Sequence, residues 1–124
     1  MFEVSVSGSF AATHQLGRTD GTLEPLHEHH WRVSATFAGR ELNEQGVLVD
    51  FAWLKRSLDE VLATLHERNL NELDAFTRRA PSAENVAVHV AERFSAIVTE
   101  AARLRVVEVE EAPGCIARFI RERS

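Results

Sequence analysis

Apolar and polar residues alternate from the start of the chain. Phe2, Val4, Val6, Phe10 and Ala12 share one parity, and Glu3, Ser5, Ser7 and Ser9 take the other. Period two predicts a strand over residues 2–14 with one buried face, and Gly8 marks a bulge or bend in it. Residues 15–26, QLGRTDGTLEPL, hold two Gly, a Pro and an Asp-Gly pair, and predict a loop. Alternation resumes from about His27 to Phe37, with Trp31, Val33, Ala35 and Phe37 on one face, and the turn AGRELNEQG follows.

The period then changes. Phe51, Leu54, Leu58, Val61, Leu62 and Leu65 form one apolar stripe behind Asp50, a suitable N-cap. A second stripe, Val86, Val90, Phe94, Ile97, Val98 and Ala101, follows Pro81 with Ser82 as its cap. Strands near 104–111 and 115–121, split by Pro113-Gly114, end the chain. The order β-β-α-α-β-β predicts a single α+β domain over residues 1–124, with a four-stranded antiparallel sheet covered by two helices on one face. Four strands leave two edges, which invite pairing with further copies of the chain.

Composition narrows the function. The 124 residues are 44% hydrophobic and 27% charged, as in an ordinary globular domain. A net charge of −5 without a dense Lys/Arg stripe argues against nucleic-acid binding, which rests on phosphate neutralisation. No apolar run approaches the roughly 20 residues that span a bilayer, and MFEVSVSGSF lacks the charged and apolar regions of a secretory signal. With Cys115 as the single cysteine there is no internal disulfide, and the expectation is a cytoplasmic protein.

The candidate chemistry lies in LHEHHWRV, residues 26–33. His27 and His29 are two apart at the start of the second strand, so their rings share a face. His14 ends the first strand on the parity of Val4, Val6 and Phe10. An antiparallel hairpin around the 15–26 loop brings the three together. Three imidazoles with a fourth position open suit a catalytic zinc ion, although cobalt or iron could use the same ligands. The competing reading is a His-rich surface turn that arose by chance. His30 has the opposite parity and faces away.

Six segments in order carry a resemblance: FAATHQL (10–16), LHEHHWRV (26–33), GVLVDFAWLK (46–55), LHERNLNEL (65–73), APSAENVA (80–87) and EEAPGC (110–115). Together they resemble the 6-pyruvoyltetrahydropterin synthase and 6-carboxytetrahydropterin synthase family, which has the T-fold. The resemblance implies zinc on His14, His27 and His29, and trimers that pair into hexamers with the strands closing into a barrel. It implies 7,8-dihydroneopterin triphosphate as substrate, bound between subunits. Glu111 best matches the glutamate that holds the pterin edge, a task suited to a carboxylate accepting two parallel N–H bonds; its neighbour Glu110 reads as a strand-end surface charge. Ser82 and Glu84 match residues lining the pterin pocket, and Ser82 equally reads as a helix cap alone.

Three motifs depart from the family. Leu23 stands where the family has its cysteine base, and Glu24, one position later, is the substitute, as in a glutamate-bearing subgroup that releases 6-hydroxymethyldihydropterin. Otherwise Glu24 is a solvated loop charge. Cys115 reads as a buried small hydrophobe. His66-Glu67 replaces the family's Asp-His pair in swapped order: either the two serve proton transfer, or they end a helix in solvent. Glu28 replaces the glycine between the two ligand histidines, and either points away or orients a ligand. The expected function is a zinc-dependent lyase acting on a reduced pterin of the 7,8-dihydroneopterin (tri)phosphate type, with side-chain cleavage favoured over the thiolate routes. The catalytic candidates are Glu24, His66 and Glu67. The alternatives are a pterin- or purine-binding protein without turnover and a zinc-stabilised structural oligomer.

Overall fold

The structure is a computed structural model that describes residues 1–95 and 101–121. Its elements run β1 (Phe2–His14), β2 (His27–Gly39), α1 (Phe51–Ala63), β3 (Arg68–Asn69), α2 (Ala83–Ser95), β4 (Arg103–Ala112) and β5 (Cys115–Ile120). The sheet has five strands rather than four, in the order β3-β1-β2-β4-β5. The additional strand is two residues long and parallel to β1, so the sheet is not purely antiparallel. Two residues are too few to show alternation, and the pairing is created by the turn after α1 rather than by local sequence.

β1 and β2 pair antiparallel without interruption, from Phe2 opposite Gly39 to His14 opposite His27. Gly8 lies inside this regular ladder, so it marks no bulge. A Cβ there would sit 2.9 Å from Leu62 Cδ1 and 3.0 Å from Asp59 Oδ1; the missing side chain lets α1 lie close on β1. The register breaks instead between Thr36 and Phe37 against β4, and between Glu110 and Ala112 against β5.

One face of the sheet carries the core. Phe10, Trp31, Val33, Ala35, Val107 and Val109 from the strands meet Leu54, Leu58, Val61 and Leu62 of α1 and Val86, Val90 and Phe94 of α2. Asp50 caps α1 by accepting the Ala52 N–H at 2.9 Å. Ser82 Oγ caps α2 by accepting the Asn85 N–H at 3.1 Å. Phe51 departs from the expected stripe: as the first helical residue it is exposed. Leu65 is buried, although α1 has already ended at Ala63. Ala101 is an exposed bend residue before β4 rather than part of the helix stripe, and Ile97 and Val98 lie outside the described residues. The other face of the sheet carries polar pairs, with Ser5 bonded to Thr36 at 2.7 Å, Glu3 paired with Arg105 and Glu108 paired with Arg118, beside the exposed Ile116 and Ile120 of β5. No described helix is long and apolar enough to cross a membrane.

Candidate metal centre

The hairpin register places the histidines. His14 is directly opposite His27, and His29 pairs with Ala12, two residues further along on the same face. Their ring centroids lie 4.7 Å (His14–His27), 5.2 Å (His14–His29) and 4.6 Å (His27–His29) apart. One ligand nitrogen from each ring can be chosen so that all three lie within 4.8 Å of one another. Trp31, fully buried, forms an apolar floor, edge-on to His14 at 4.9 Å and to His29 at 5.8 Å. It is held in turn by its Nε1–H, which donates to the Ala12 carbonyl at 3.2 Å.

Backbone carbonyls fix two of the rings. His14 Nδ1 lies 2.8 Å from the Pro81 carbonyl, and His27 Nδ1 lies 2.8 Å from the Pro25 carbonyl. A carbonyl can only accept, so each Nδ1 carries a proton, and the neutral tautomer of each ring has its lone pair at Nε2. His14 Nε2 is fully buried and makes no hydrogen bond. Buried polar atoms are nearly always paired, and this orphan points among two other imidazoles. Burial lowers the pKa of His29; the charges of Glu111 and Glu24 oppose that shift, while His27 and His14 add to it. A ring kept free of its proton is a ring ready to bind a cation. On the donor chemistry, the tautomers and the orphaned nitrogen, the three residues fit a metal ion.

Two carboxylates border the cluster. Glu24 Oε1 accepts the Leu16 N–H at 3.0 Å and lies 3.7 Å from His27 Nε2. Its loop is tied down by a bridge between Gly17 and Leu23 and by Glu24 N–H donating to the Leu16 carbonyl at 2.9 Å. Gln15 adds a bond to the Glu24 carbonyl at 3.0 Å and is itself bracketed by Asn71. Glu24 is therefore a held, half-buried group rather than a free loop charge. Glu111 reaches in from β4, with Oε1 3.1 Å from His14 Nε2.

The remaining candidates stand elsewhere. The Ala11 N–H donates to His66 Nδ1 at 3.1 Å, and His66 Nε2 faces Glu67 Oε1 at 3.5 Å. Ala11 is three residues from His14, about 10 Å along the strand, so within one chain His66 and Glu67 do not join the cluster. Glu67 is exposed, with φ at 58° and its N–H bonded to the Ala11 carbonyl at 2.6 Å. Ser82 is occupied as a cap, and Glu84 is exposed in the first turn of α2. His30 and Glu28 are exposed on the opposite parity. Leu23, at the position of the family's cysteine, is also exposed. Cys115 is exposed rather than buried, because it opens an edge strand beyond the cover of the helices. Sequence reasoning missed Pro25, Pro81 and Leu16: their contributions are backbone groups, which leave no side-chain signature.

A profile of the 6-pyruvoyl tetrahydropterin synthase family matches residues 3–122. The 6-carboxy-5,6,7,8-tetrahydropterin synthase of Bacillus subtilis strain 168 is 29% identical over 126 residues, covering 98% of this chain and 79% of that protein. Among solved structures, the Caenorhabditis elegans 6-pyruvoyl tetrahydropterin synthase superposes with a TM-score of 0.81 at 23% identity, covering 98% of this chain and 96% of that one. A catalytic-residue mutant of the Plasmodium vivax 6-pyruvoyltetrahydropterin synthase, with a glutamate changed to alanine, superposes with a TM-score of 0.80 at 20% identity and 97% coverage of both chains.

Proposed function

Because the chain belongs to the 6-pyruvoyl tetrahydropterin synthase family, we propose that it is a lyase for reduced pterins whose active centre is the cluster of His14, His27 and His29. Zinc is the ion assigned to the cluster, and when bound it polarises oxygens of the substrate side chain. The substrate class is a 7,8-dihydroneopterin, with or without its phosphates. The observation that carries this reading is the buried, unbonded Nε2 of His14, set among two further imidazoles with the Glu24 carboxylate beside them.

The chain's own residues divide the work. The Pro81 and Pro25 carbonyls hold the rings of His14 and His27 with Nε2 inward. Trp31 keeps water from the floor of the site. Glu24 is the proton acceptor: Oε1 is fixed by the Leu16 N–H, leaving its second oxygen to take a proton. The naming of a glutamate as a catalytic residue in the Plasmodium vivax enzyme supports this assignment. When Glu24 removes the proton of the second side-chain hydroxyl, the C–C bond between the first and second side-chain carbons breaks and the outer fragment leaves as an aldehyde. The electron pair passes into the conjugated imine of the dihydropterin ring, and the proton is returned to the first side-chain carbon. Glu111 supplies the carboxylate for the pterin edge, and Ser82 and Glu84 line the approach to it. His66 and Glu67 can act only in a site shared between copies of the chain. The outer edge of β1 before Ala11 and the outer edge of β5 have no strand partner among the described residues, which supports assembly through sheet edges into a trimer or hexamer.

The test is an anaerobic assay of zinc-loaded protein with 7,8-dihydroneopterin and its triphosphate, followed by chromatography of the pterins. Loss of the side chain in the wild type, abolished in Glu24→Gln, is the expected result. Pterin binding without turnover, unaffected by Glu24→Gln, would instead identify a binding protein.

A further inference from the structure

The family likeness assigns Glu111 to the pterin ring, yet its carboxylate lies against the histidine cluster. This contact takes the metal-binding reading above as its premise and extends it. Glu111 continues the inward parity of Val107 and Val109 and is the extra residue at the register break between Glu110 and Ala112. Bulges of this kind re-aim a side chain next to an active site. Its neighbour Glu110 is turned to its own hairpin, accepting the Gly114 N–H at 3.2 Å.

Glu111 Oε1 is 3.1 Å from His14 Nε2, but the pair is not a hydrogen bond. The Pro81 carbonyl takes the proton-bearing Nδ1 of His14, so in the neutral ring a nitrogen lone pair stands beside a carboxylate oxygen. Two electron-rich atoms this close in a partly desolvated pocket repel each other, and a cation shared between them removes the conflict. The spacing agrees with that reading. Tetrahedral coordination with bonds of about 2.0–2.1 Å puts neighbouring ligand atoms about 3.3 Å apart. Glu24 is more distant, at 3.7 Å from His27 Nε2, and its Oε1 is engaged by Leu16.

We propose that Glu111 is the fourth protein ligand of the resting metal site, filling the position that the three histidines leave open. A pterin side chain then enters by displacing it, and the released carboxylate becomes free to accept the N–H donors of the ring. One side chain closes the empty site and anchors the filled one.

The experiment uses cobalt(II) as a spectroscopic probe in metal-stripped wild type, Glu111→Ala, Glu111→Gln and Glu24→Gln, with azide as an exogenous ligand. The wild type and Glu24→Gln are expected to share one visible spectrum and to resist azide. Both Glu111 variants are expected to show an altered spectrum, to bind azide at lower concentrations than the wild type, and to hold cobalt more weakly by more than the roughly 10–100-fold typical of outer-shell changes. Cobalt bound in all four proteins with the same spectrum and azide response would overturn the proposal while leaving the histidine site intact. A wild type that takes up no cobalt would overturn the metal reading itself.

Discussion

At the end of the β1–β2 hairpin, His14 is 1% exposed, its Nδ1 is bonded to a carbonyl and its Nε2 makes no hydrogen bond. At the turn after α1, His66 is 50% exposed and the arrangement is inverted: its Nδ1 is consumed by the Ala11 N–H and its Nε2 lies 3.5 Å from the exposed Glu67 carboxylate. Both regions set a histidine beside a glutamate at β1: His14 belongs to the strand, and His66 accepts the N–H of its Ala11. They differ in which backbone group meets Nδ1. A carbonyl turns the lone pair inward to Nε2, where it suits a metal ion; an N–H fills the Nδ1 lone pair and makes a clasp. The first arrangement builds a site, and the second ties β3 to the sheet.

The largest effect that separates the two regions is on metal affinity. His27→Ala or His29→Ala should weaken zinc binding by more than the roughly 10–100-fold typical of outer-shell changes, whereas His66→Ala should leave it unchanged in a competition titration with a chromophoric chelator. Equal losses at all three positions would erase the distinction. Next comes turnover. Glu24→Gln keeps the acceptor for Leu16 N–H but cannot take a proton, so kcat should fall by about 10²–10⁴ with zinc retained. A fall of the same size in His66→Gln would place the turn in the active site as well.

A smaller effect lies in the backbone. Glu67 holds a left-handed conformation that costs a non-glycine residue about 1–2 kcal/mol. If the turn is only a clasp, Glu67→Gly should stabilise the protein by about 1 kcal/mol in urea denaturation, with turnover unaltered. Loss of turnover in that variant would show that the strain serves the chemistry.

The smallest effect concerns His89, a half-buried histidine against the Phe76 ring at 5.5 Å. Burial lowers its pKa, with Arg93 and Arg79 adding to the shift and Glu92 opposing it. Its folded pKa is below its unfolded one, so the unfolded chain takes up the proton first as pH falls through the ordinary histidine range, and stability declines on that side. His89→Gln should flatten the decline measured by denaturation between pH 7 and 5. An unchanged slope would assign it to other groups.

Much of this arrangement was legible in the sequence. Period-two spacing alone put His14, His27 and His29 on one face, and the hairpin register then fixed their meeting. Asp50 and Ser82 were recognisable as caps from residue type and position. Other features were not legible, for physical reasons. β3 is too short to have a period. Gly8 reads as a bulge in one dimension and as a helix contact in three. The carbonyls of Pro25 and Pro81 decide the tautomers without any side chain to announce them. Glu111 was found through likeness to a family, but its approach to His14 depends on a register break that strand alternation does not reveal. Cys115 looks like core material in composition and lies on an open edge.

The most direct test is elemental analysis of wild-type protein purified without chelators, paired with a zinc titration of the stripped protein. Zinc stoichiometric with the chain, lost in His29→Ala, is the predicted result. A protein that is metal-free as isolated and takes up no zinc on titration would contradict the assignment of His14, His27 and His29 as a ligand set.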